Sequence, residues 1–402
     1  MQLVAMQNSL LGIPVMHAEG FRGEGMRVAV FDAGFPGVLE LPNLAHLGGP
    51  GRIVGTRDFV SGGQAEVFHR HPHGTQVLSL IASADEEGLL AGAPDASYVL
   101  CITEDVGSEY RIEEFNWLLA AEYADSLGVD VINSSLGYWD FDDPRMDYRI
   151  SDMDGQTALI TRAAALAAKK GILVVTSAGN YGGRGAQSIT APADAAGIIS
   201  VGALTRSQER AIFSSFGPTA DGRTKPEVVA IGERVALTRP GLQGTIGFGN
   251  GTSFSAPQVA ALAAGLWQAL PETSLDTLIQ RLLDSGNLVD RVSAELGFGV
   301  PNFERAYFGV VTHVAEKELV PITLFPNPVA QGQVLQVRIP TDARQFTWRI
   351  WNSLGQEVLA GEVERGIGAS TLQLAVEPLR AGIYVLELEG SAGTVRKKFI
   401  KQ

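Results

Sequence analysis

The chain of 402 residues is long enough for two domains, or for one large domain with an appendage. Its composition, 45% hydrophobic and 19% charged, is that of a globular protein, and its apolar runs are too short and too interrupted to span a bilayer. The formal net charge of −13 argues against nucleic acid as a partner, because phosphate would be repelled.

The N-terminal residues and the single cysteine say little about the compartment. Residues 1–16 lack a basic flank followed by an apolar core, so they contain no recognisable signal peptide. Cys101 cannot form an internal disulfide. Its apolar neighbours, residues 98–102, predict a buried and unreactive thiol.

Apolar strands alternate with helical stretches over about the first 310 residues, which predicts a parallel sheet covered by helices on both faces. The strand at residues 28–31 ends in Asp32, and His73 opens an apolar helix. Active sites on such sheets lie at the carboxyl ends of the strands. Asp32 is therefore a candidate site residue, although alone it is as well explained as a turn aspartate.

Two further helices and their strands follow in the same pattern. The helix predicted over residues 109–127 carries apolar side chains at helical spacing and ends at Gly128. These side chains are Ile112, Phe115, Leu118, Leu119 and Tyr123. Strand 129–134, a helix over 157–170 that Gly171 stops, and strand 172–176 come next.

Two polar residues after these elements are candidates for chemistry. Asn180 follows the strand at residues 172–176, and Ser253 precedes an Ala- and Leu-rich helix that runs to about residue 270. Free N–H groups and the positive dipole end at a helix start favour developing negative charge. Serine is also the commonest N-cap, so this segment alone fits a cap as well as a nucleophile. A left-handed turn residue is the corresponding alternative for Asn180.

The chain order Asp32, His73, Asn180, Ser253 resembles the subtilisin-like serine peptidases (subtilases), and acid–histidine–serine is the order known for subtilisin itself. Segments 133–137, 213–218, 225–228 and 297–302 also resemble the family, so the likeness covers about residues 20–308. The resemblance implies an α/β, subtilisin-like three-layer fold with a central, mostly parallel sheet. It further implies a serine-type endopeptidase with an Asp32–His73–Ser253 triad and Asn180 as oxyanion donor.

The resemblance also implies where a peptide substrate binds. One group of residues would pair with the substrate backbone, and a second group would wall the first specificity pocket. The first group is Ser135, Leu136 and Gly137, and the second is Ser177, Ala178 and Gly179. Glu109 and Glu113 either favour basic substrates or are solvated helix charges, and Pro192 is a candidate cis proline.

Two positions depart from the family pattern. Ala33 stands where a hydroxyl residue usually follows the catalytic acid, and Gln76 stands where a second histidine is often found. Neither change removes a group that transfers a proton or stabilises charge. We expect these two changes to affect the catalytic rate more than the ability to catalyse the reaction.

The last 80 or so residues have a different sequence pattern. Short alternating segments separated by Gly and Pro turns predict a small antiparallel β-sandwich. Residues 321–402 hold nine Lys+Arg and seven Asp+Glu, a net of +2, so the rest of the chain carries −13 − 2 = −15. We therefore predict a peptidase domain at 1–312, a linker at 313–320 and a second domain at 321–402.

This second domain resembles the C-terminal sorting domain of the type IX secretion system. The resemblance is carried by Phe-Pro-Asn-Pro at 325–328, Ser-Leu-Gly-Gln at 353–356, Leu-Arg-Ala-Gly-Ile-Tyr at 379–384 and the terminal 397–401. It implies export to the medium or outer surface of a bacterium, with the secretion machinery as partner. A generic carbohydrate- or partner-binding sandwich is the alternative.

No cofactor is expected to be required, and a metal at His69, His71 and His73 is not expected, because no further ligand completes a tetrahedral set. Structural calcium is an open alternative at loop carboxylates. These are Asp140, Asp142, Asp143, Asp152 and Asp154. We expect a monomer that hydrolyses polypeptides. The alternatives are a catalytically inactive subtilase scaffold that binds partners at the cell surface, and a cytosolic peptidase.

Overall fold

The computed structural model describes residues 2–241, 246–309, 322–338, 345–352, 356–364, 371–390 and 393–402. The chain divides into two compact units, Met1–Gly309 and Val310–Gln402. The linker predicted at 313–320 lies outside the described residues. In the part of the chain that is described, no helix has the length and apolar character needed to cross a membrane.

A seven-stranded sheet, parallel throughout, forms the centre of the first unit, as predicted. Its strands are β1 Arg27–Asp32, β2 Ile53–Asp58, β3 Ser97–Ile102, β4 Val131–Ser134, β5 Leu173–Ser177, β6 Ile199–Leu204 and β7 Val228–Ile231. They lie in the order β2-β3-β1-β4-β5-β6-β7. A two-stranded antiparallel ribbon, β8 Val235–Thr238 and β9 Ile246–Gly249, stands beside it.

Helices cover both faces of this sheet. They are α1 Gln2–Leu11, α2 Ile13–Ala18, α3 His73–Ala82, α4 Ile112–Ser126, α5 Leu159–Lys169, α6 Ala256–Ala269, α7 Leu275–Asp284 and α8 Phe303–Phe308. α3 packs against α6 in one large core, and α4 packs against α5 in a second core on the other face. Central strands are therefore buried on both faces, which explains their nearly continuous apolar sequences. The predicted three-layer arrangement is confirmed.

Glycine ends two of these helices as the sequence predicted. Gly128 and Gly171 follow α4 and α5 with φ angles of +64° and +96°, a conformation that costs other residues far more than glycine. The Ala191–Pro192 bond is cis, so that prediction is also confirmed.

The predicted helix is present as α4, and its apolar side chains divide between two faces. Leu118 and Tyr123 pack against the second core. Ile112, Phe115 and Leu119 are 62%, 52% and 48% exposed. Trp117 and the two acids Glu113 and Glu114 are buried. Glu113 is accordingly neither a solvated charge nor a residue that reaches the substrate.

The second unit consists of two antiparallel sheets. Strands β10 Thr323–Phe325, β11 Leu335–Arg338 and β14 Thr371–Leu374 form one. Strands β12 Gln345–Asn352, β13 Glu357–Glu364, β15 Gly382–Gly390 and β16 Gly393–Lys401 form the other, in the order β13-β12-β15-β16. Side chains from both sheets share one core, among them Val337 and Leu386. The predicted sandwich is confirmed, although β13 was not predicted and residues 353–355 lie outside the described part.

Candidate active site

The candidate residues gather at the carboxyl edge of the central sheet. Asp32 is the last residue of β1, and His73 is the first residue of α3. Ser135 follows β4, and Asn180 lies three residues after β5. Ser253 lies in the short 3₁₀ turn Thr252–Phe254 that leads into α6. Loops that leave neighbouring parallel strands at one edge bring these distant residues together.

Asp32 and His73 form a close ion pair. His73 Nδ1 lies 2.8 Å from Asp32 Oδ1 and 3.0 Å from Oδ2. The Asp32 carboxylate is fully buried, whereas the His73 side chain is 24% exposed. The backbone N–H of Ala33 also donates to Asp32 Oδ1, at 2.7 Å. This bond supplies a donor where Ala33 lacks the hydroxyl common in the family.

The surroundings of His73 favour its protonated form. Burial opposes the charge on the ring, but attraction to Asp32, the hydrogen bond to Asp32 and a smaller attraction to Glu104 outweigh it. The pKa of His73 therefore lies above its ordinary value. The other ring nitrogen, Nε2, is left for proton transfer when Nδ1 carries the proton shared with Asp32.

Ser253 and Ser135 exchange two hydrogen bonds. Ser253 Oγ donates to the Ser135 carbonyl at 3.1 Å, and Ser135 Oγ donates to the Ser253 carbonyl at 2.8 Å. Asn133 Nδ2 in turn donates to Ser135 Oγ at 3.1 Å. Among the described residues no hydrogen bond joins Ser253 Oγ to His73. The two are neighbours nonetheless, since the His73 ring lies 5.4 Å from that of Phe254.

Asn180 is exposed and held in one orientation. Its Oδ1 accepts hydrogen bonds from Thr252 N and Thr252 Oγ1, both at 3.0 Å. Its Nδ2 donors therefore face away from Thr252. Gly251 has φ of +147°, and a Cβ there would lie 3.7 Å from Ser253 N and 3.9 Å from Asn180 Nδ2. Asn180 Oδ1 would lie at 3.9 Å as well, so the Ser253 N–H and the Asn180 amide group are both near Gly251. Asn180 is not in the left-handed conformation that the alternative required.

The segment predicted to pair with the substrate backbone, residues 135–137, and the predicted pocket wall, residues 177–179, are connected directly. Ser177 Oγ donates to Leu136 O at 3.0 Å. Thr190 lies between the two segments, because a Cβ on Gly137 would overlap its Oγ1 and a Cβ on Gly179 would lie 2.7 Å from its Cγ2. Thr190 is fully buried. Its side chain therefore fills the space between the two segments.

The comparisons with known proteins identify the family. The model of the Subtilase family matches residues 23–299, more than half of the chain.

This chain belongs to the subtilase family.

Residues 323–402 match the model of a secretion system C-terminal sorting domain. Subtilisin NAT from Bacillus subtilis subsp. natto is 34% identical over 260 residues, which are 64% of this subtilase and 59% of that relative. The chain thus spans 59% of the length of the first curated relatives that it matches. Subtilisin DY from Bacillus licheniformis is 33% identical over 304 residues, 73% of this chain and 97% of the relative.

Solved structures show the same fold. The MycP3 protease from the type VII (ESX-3) secretion system has a TM-score of 0.59 and 21% identity, covering 75% of this subtilase and 87% of that chain. Proteases from Pseudoalteromonas arctica PAMC 21717 give a TM-score of 0.58 and 20% identity, covering 74% and 93%.

The loop carboxylates considered for calcium in this subtilase have partners within the protein. Asp140 pairs with Arg184 at 2.6 Å, and Asp143 pairs with Arg145. Asp142, Asp152 and Asp154 accept backbone N–H bonds. Over the described ranges, no three His, Cys, Asp or Glu side chains converge as metal ligands. The carboxylates thus stabilise their own loops.

Sequence reasoning missed four residues of this region: Thr252, Thr190, Tyr138 and Glu104. Thr252 was visible beside Ser253, where a hydroxyl within a turn is a common backbone partner. The other three act through contacts between distant segments, which no local pattern encodes. Cys101, by contrast, is buried as predicted, and burial raises the pKa of its thiol.

Proposed function

We propose that this subtilase is an exported serine endopeptidase that hydrolyses peptide bonds with Asp32, His73 and Ser253. The observation that carries the proposal is the close pair of His73 Nδ1 and a fully buried Asp32 carboxylate. The His73 ring also lies 5.4 Å from the ring of Phe254, the residue that follows Ser253. A buried carboxylate fixes the tautomer of the ring and stabilises the imidazolium that forms when Nε2 accepts a proton.

In the first step Ser253 Oγ rotates away from the Ser135 carbonyl and attacks the substrate carbonyl carbon. His73 takes the hydroxyl proton and then delivers it to the leaving amine, which leaves an acyl group on Ser253. Water repeats the sequence and releases the acid. Rotation about one Cα–Cβ bond is a small rearrangement compared with the loop motions common in enzymes.

Asn180 Nδ2 and the Ser253 N–H stabilise the negative oxygen of the tetrahedral intermediate. Their common proximity to Gly251 supports this role. Donors held in advance cost no reorganisation during the reaction, and losing one such donor in subtilisin costs about 10²–10³ in turnover.

The substrate binds as an extended strand beside residues 135–137, with its side chain at the cleaved bond between these residues and 177–179. Backbone pairing of this kind accepts many sequences. Because Thr190 fills the space between the two segments, small side chains fit best at that position.

Labelling with a phosphonofluoridate tests the proposed nucleophile. We expect wild type to be labelled and to cleave a peptide library, and Ser253→Ala to lose both while it keeps its fold. Ser255→Ala is the matched control, because Ser255 lies in the same segment and its hydroxyl is buried without a hydrogen-bond partner. A folded wild type that resists the label would favour the second candidate, an inactive subtilase scaffold that binds partners. The resting bond from Ser253 to Ser135 is the observation in its favour.

The second unit directs export through a type IX secretion machinery to the medium or the outer surface of a bacterium. The match of residues 323–402 to a sorting-domain model supports this proposal. Deleting residues 322–402 in a host with that machinery should keep the peptidase inside the cell. Export of the truncated chain at the wild-type level would refute it, whereas retention of the full-length chain inside the cell would favour a cytosolic peptidase.

A further inference from the structure

A buried carboxyl group lies next to the proposed triad and has no role in the mechanism above. Glu104 comes two residues after Ile102, which pairs with Asp32 in the sheet. The intervening Thr103 donates its N–H to the Asp32 carbonyl at 3.0 Å. Glu104 is therefore fixed to the strand end that carries the proposed catalytic acid. Its side chain, however, binds Tyr138 and Thr103 and not Asp32 or His73.

Glu104 is linked to the back of the substrate strand through Tyr138. Its Oε1 accepts hydrogen bonds from Tyr138 Oη at 2.5 Å and from Thr103 Oγ1 at 3.0 Å. Tyr138 directly follows residues 135–137 and exchanges backbone hydrogen bonds of 2.8 and 3.2 Å with Ala191. Ala191 is the neighbour of Thr190. Glu104 thus anchors the Tyr138 side chain. The Tyr138 backbone in turn connects residues 135–137 with the segment that contains Thr190.

A second buried carboxyl group lies against the same peptide. Glu113 on α4 is 2% exposed, and its Oε1 accepts the Asp105 N–H at 2.8 Å. Its Oε2 is buried without a hydrogen-bond partner. Asn116, one turn further along α4, donates to the Thr103 carbonyl at 3.2 Å. α4 therefore clamps the backbone on both sides of Glu104.

The charges that face this pair are almost all negative. Asp32 on β1 faces Glu104, and Asp105 and Glu109 lie in the loop before α4. Asp142, in the loop after β4, faces Glu109 and raises its pKa, together with burial, to about 7. On the far side, α3 contributes His73. The nearby Arg111 is turned away, since its guanidinium binds the Met146 carbonyl and lies 4.2 Å from the Tyr148 ring.

Two adjacent buried carboxylates without a cation are unfavourable. Burial is the largest cause that raises the pKa of both Glu104 and Glu113, and their mutual repulsion adds to it for Glu113. Protons leave such a pair in two steps that belong to the pair and not to either residue. The Oε2 atom of Glu113 has no hydrogen-bond donor to stabilise a negative charge, which favours the protonated, neutral form of this carboxyl group.

We propose that Glu104 and Glu113 retain a proton between them at neutral pH, and that Glu104 acts through Tyr138 as a positioning residue for the substrate strand at 135–137. When this proton is lost to solvent in alkaline solution, the two carboxylates repel each other. The repulsion pushes the Glu104 side chain and the peptide 103–105 away from α4, and Tyr138, whose phenol donates to Glu104, moves with them. The inference rests on the proposed peptidase activity.

Because the disturbed elements bind substrate and do not transfer protons, we expect KM to change more than kcat. A single ionisation lowers kcat/KM by about tenfold per pH unit above its apparent pKa. Wild type should therefore lose kcat/KM above neutral pH, mainly through a rising KM. Glu104→Gln keeps an acceptor for Tyr138 and cannot ionise, so this variant should lose the alkaline decline.

The experiment measures kcat and KM on a chromogenic peptide between about pH 6 and about pH 10 for wild type, Glu104→Gln, Glu113→Gln and Tyr138→Phe. Glu114→Gln is the matched control. Glu114 is a buried neighbour on α4, also bound to a tyrosine, but both its oxygens have partners, Tyr148 Oη at 2.7 Å and Ile160 N at 2.9 Å. We expect Glu114→Gln to keep the wild-type alkaline profile. An unchanged alkaline decline in Glu104→Gln and Glu113→Gln would overturn the proposal.

A second measurement does not need catalysis. The unfolded chain ionises these glutamates at their ordinary pKa, before the folded chain does. Stability should therefore fall as pH rises from that range toward the raised values. Thermal unfolding should show this fall in wild type and Glu114→Gln, and a smaller one in Glu104→Gln and Glu113→Gln. A wild type that shows the fall but does not cleave peptides would contradict the peptidase and not the carboxyl pair. Equal falls in all four proteins would contradict the pair.

Discussion

Thr252 holds the Asn180 side chain through two hydrogen bonds of 3.0 Å, one from its backbone N–H and one from its hydroxyl, both to Oδ1. A side-chain amide can rotate by half a turn at little cost when nothing distinguishes its two ends. Two donors aimed at one oxygen remove that freedom. The nitrogen is thereby directed away from Thr252.

The first prediction concerns this restraint. Thr252→Val removes one of the two donors and should lower kcat by about tenfold, the effect of one neutral hydrogen bond of about 1.4 kcal/mol. Asn180→Ala removes the oxyanion donor itself and should cost about 10²–10³. Steady-state kinetics on one peptide gives both values. A larger loss of kcat for Thr252→Val than for Asn180→Ala would contradict the proposal that Thr252 acts only by orienting Asn180.

The second prediction concerns the acid side of the pH profile. His73 must be neutral to accept the Ser253 proton, and its pKa is raised above 6.5. We expect kcat/KM to fall by about tenfold per pH unit below that raised value. Asp32→Asn, which removes the largest of the attractions, should move this limb to lower pH. A profile that stays level down to about pH 4 would be incompatible with His73 as the base.

The Asp32–His73 pair also makes stability depend on pH: stability falls as pH rises, whereas kcat/KM rises. Protonated His73 is stabilised by Asp32 in the folded chain, so its contribution is fully present below 6.5 and is lost as pH rises through the raised pKa. His73→Ala should remove this dependence from thermal unfolding curves. His71→Ala, which changes an exposed histidine in the same run, should retain it.

The third prediction concerns the size of the pocket. Thr190→Ala removes the hydroxyl and methyl groups that lie between Gly137 and Gly179. The ratio of kcat/KM for a substrate with phenylalanine at the cleaved bond to that for one with alanine should then rise by about tenfold or more. The reason is that one or two additional buried groups of the substrate contribute about 1–3 kcal/mol. Substrates that differ only beyond the cleaved bond serve as the control. An unchanged Phe/Ala ratio would place the pocket elsewhere.

The fourth prediction tests the orientation of α4. Trp117 is fully buried, packs edge-on against Phe31 and donates to Ser134 Oγ at 2.9 Å. Trp117→Ala should lower the free energy of unfolding by about 3–5 kcal/mol. Phe115→Ser, on the exposed face, should change it by less than about 0.5 kcal/mol. Denaturant unfolding distinguishes the two, and a large loss for Phe115→Ser would contradict the observed orientation.

The sequence predicted most of the first unit because its decisive signals are local. Strands that end in Asp32 and just before Asn180, and glycines at 128 and 171, each follow from residues within a few positions. The carboxyl ends of parallel strands meet at one edge, so the gathering of these ends could be anticipated. Thr190 and Tyr138 could not be, because their contacts join segments far apart in the chain.

Two elements show where local patterns mislead. The spacing of Ile112, Phe115 and Leu119 identified a helix but not the face that packs, because Glu113 and Glu114 gain buried partners on other elements. The strand Glu357–Glu364 was missed because glycine and acidic residues are depleted in strands. Its pairing with β12 along almost its whole length overrides that preference.

The distance along the chain between Asp32 and Ser253 has a consequence for synthesis. During translation Asp32 and His73 leave the ribosome long before Ser253 does, and α6, which follows Ser253, leaves later still. Every shorter nascent chain lacks the proposed nucleophile. If the proposed triad is correct, self-digestion can begin only once nearly the whole first unit has been made.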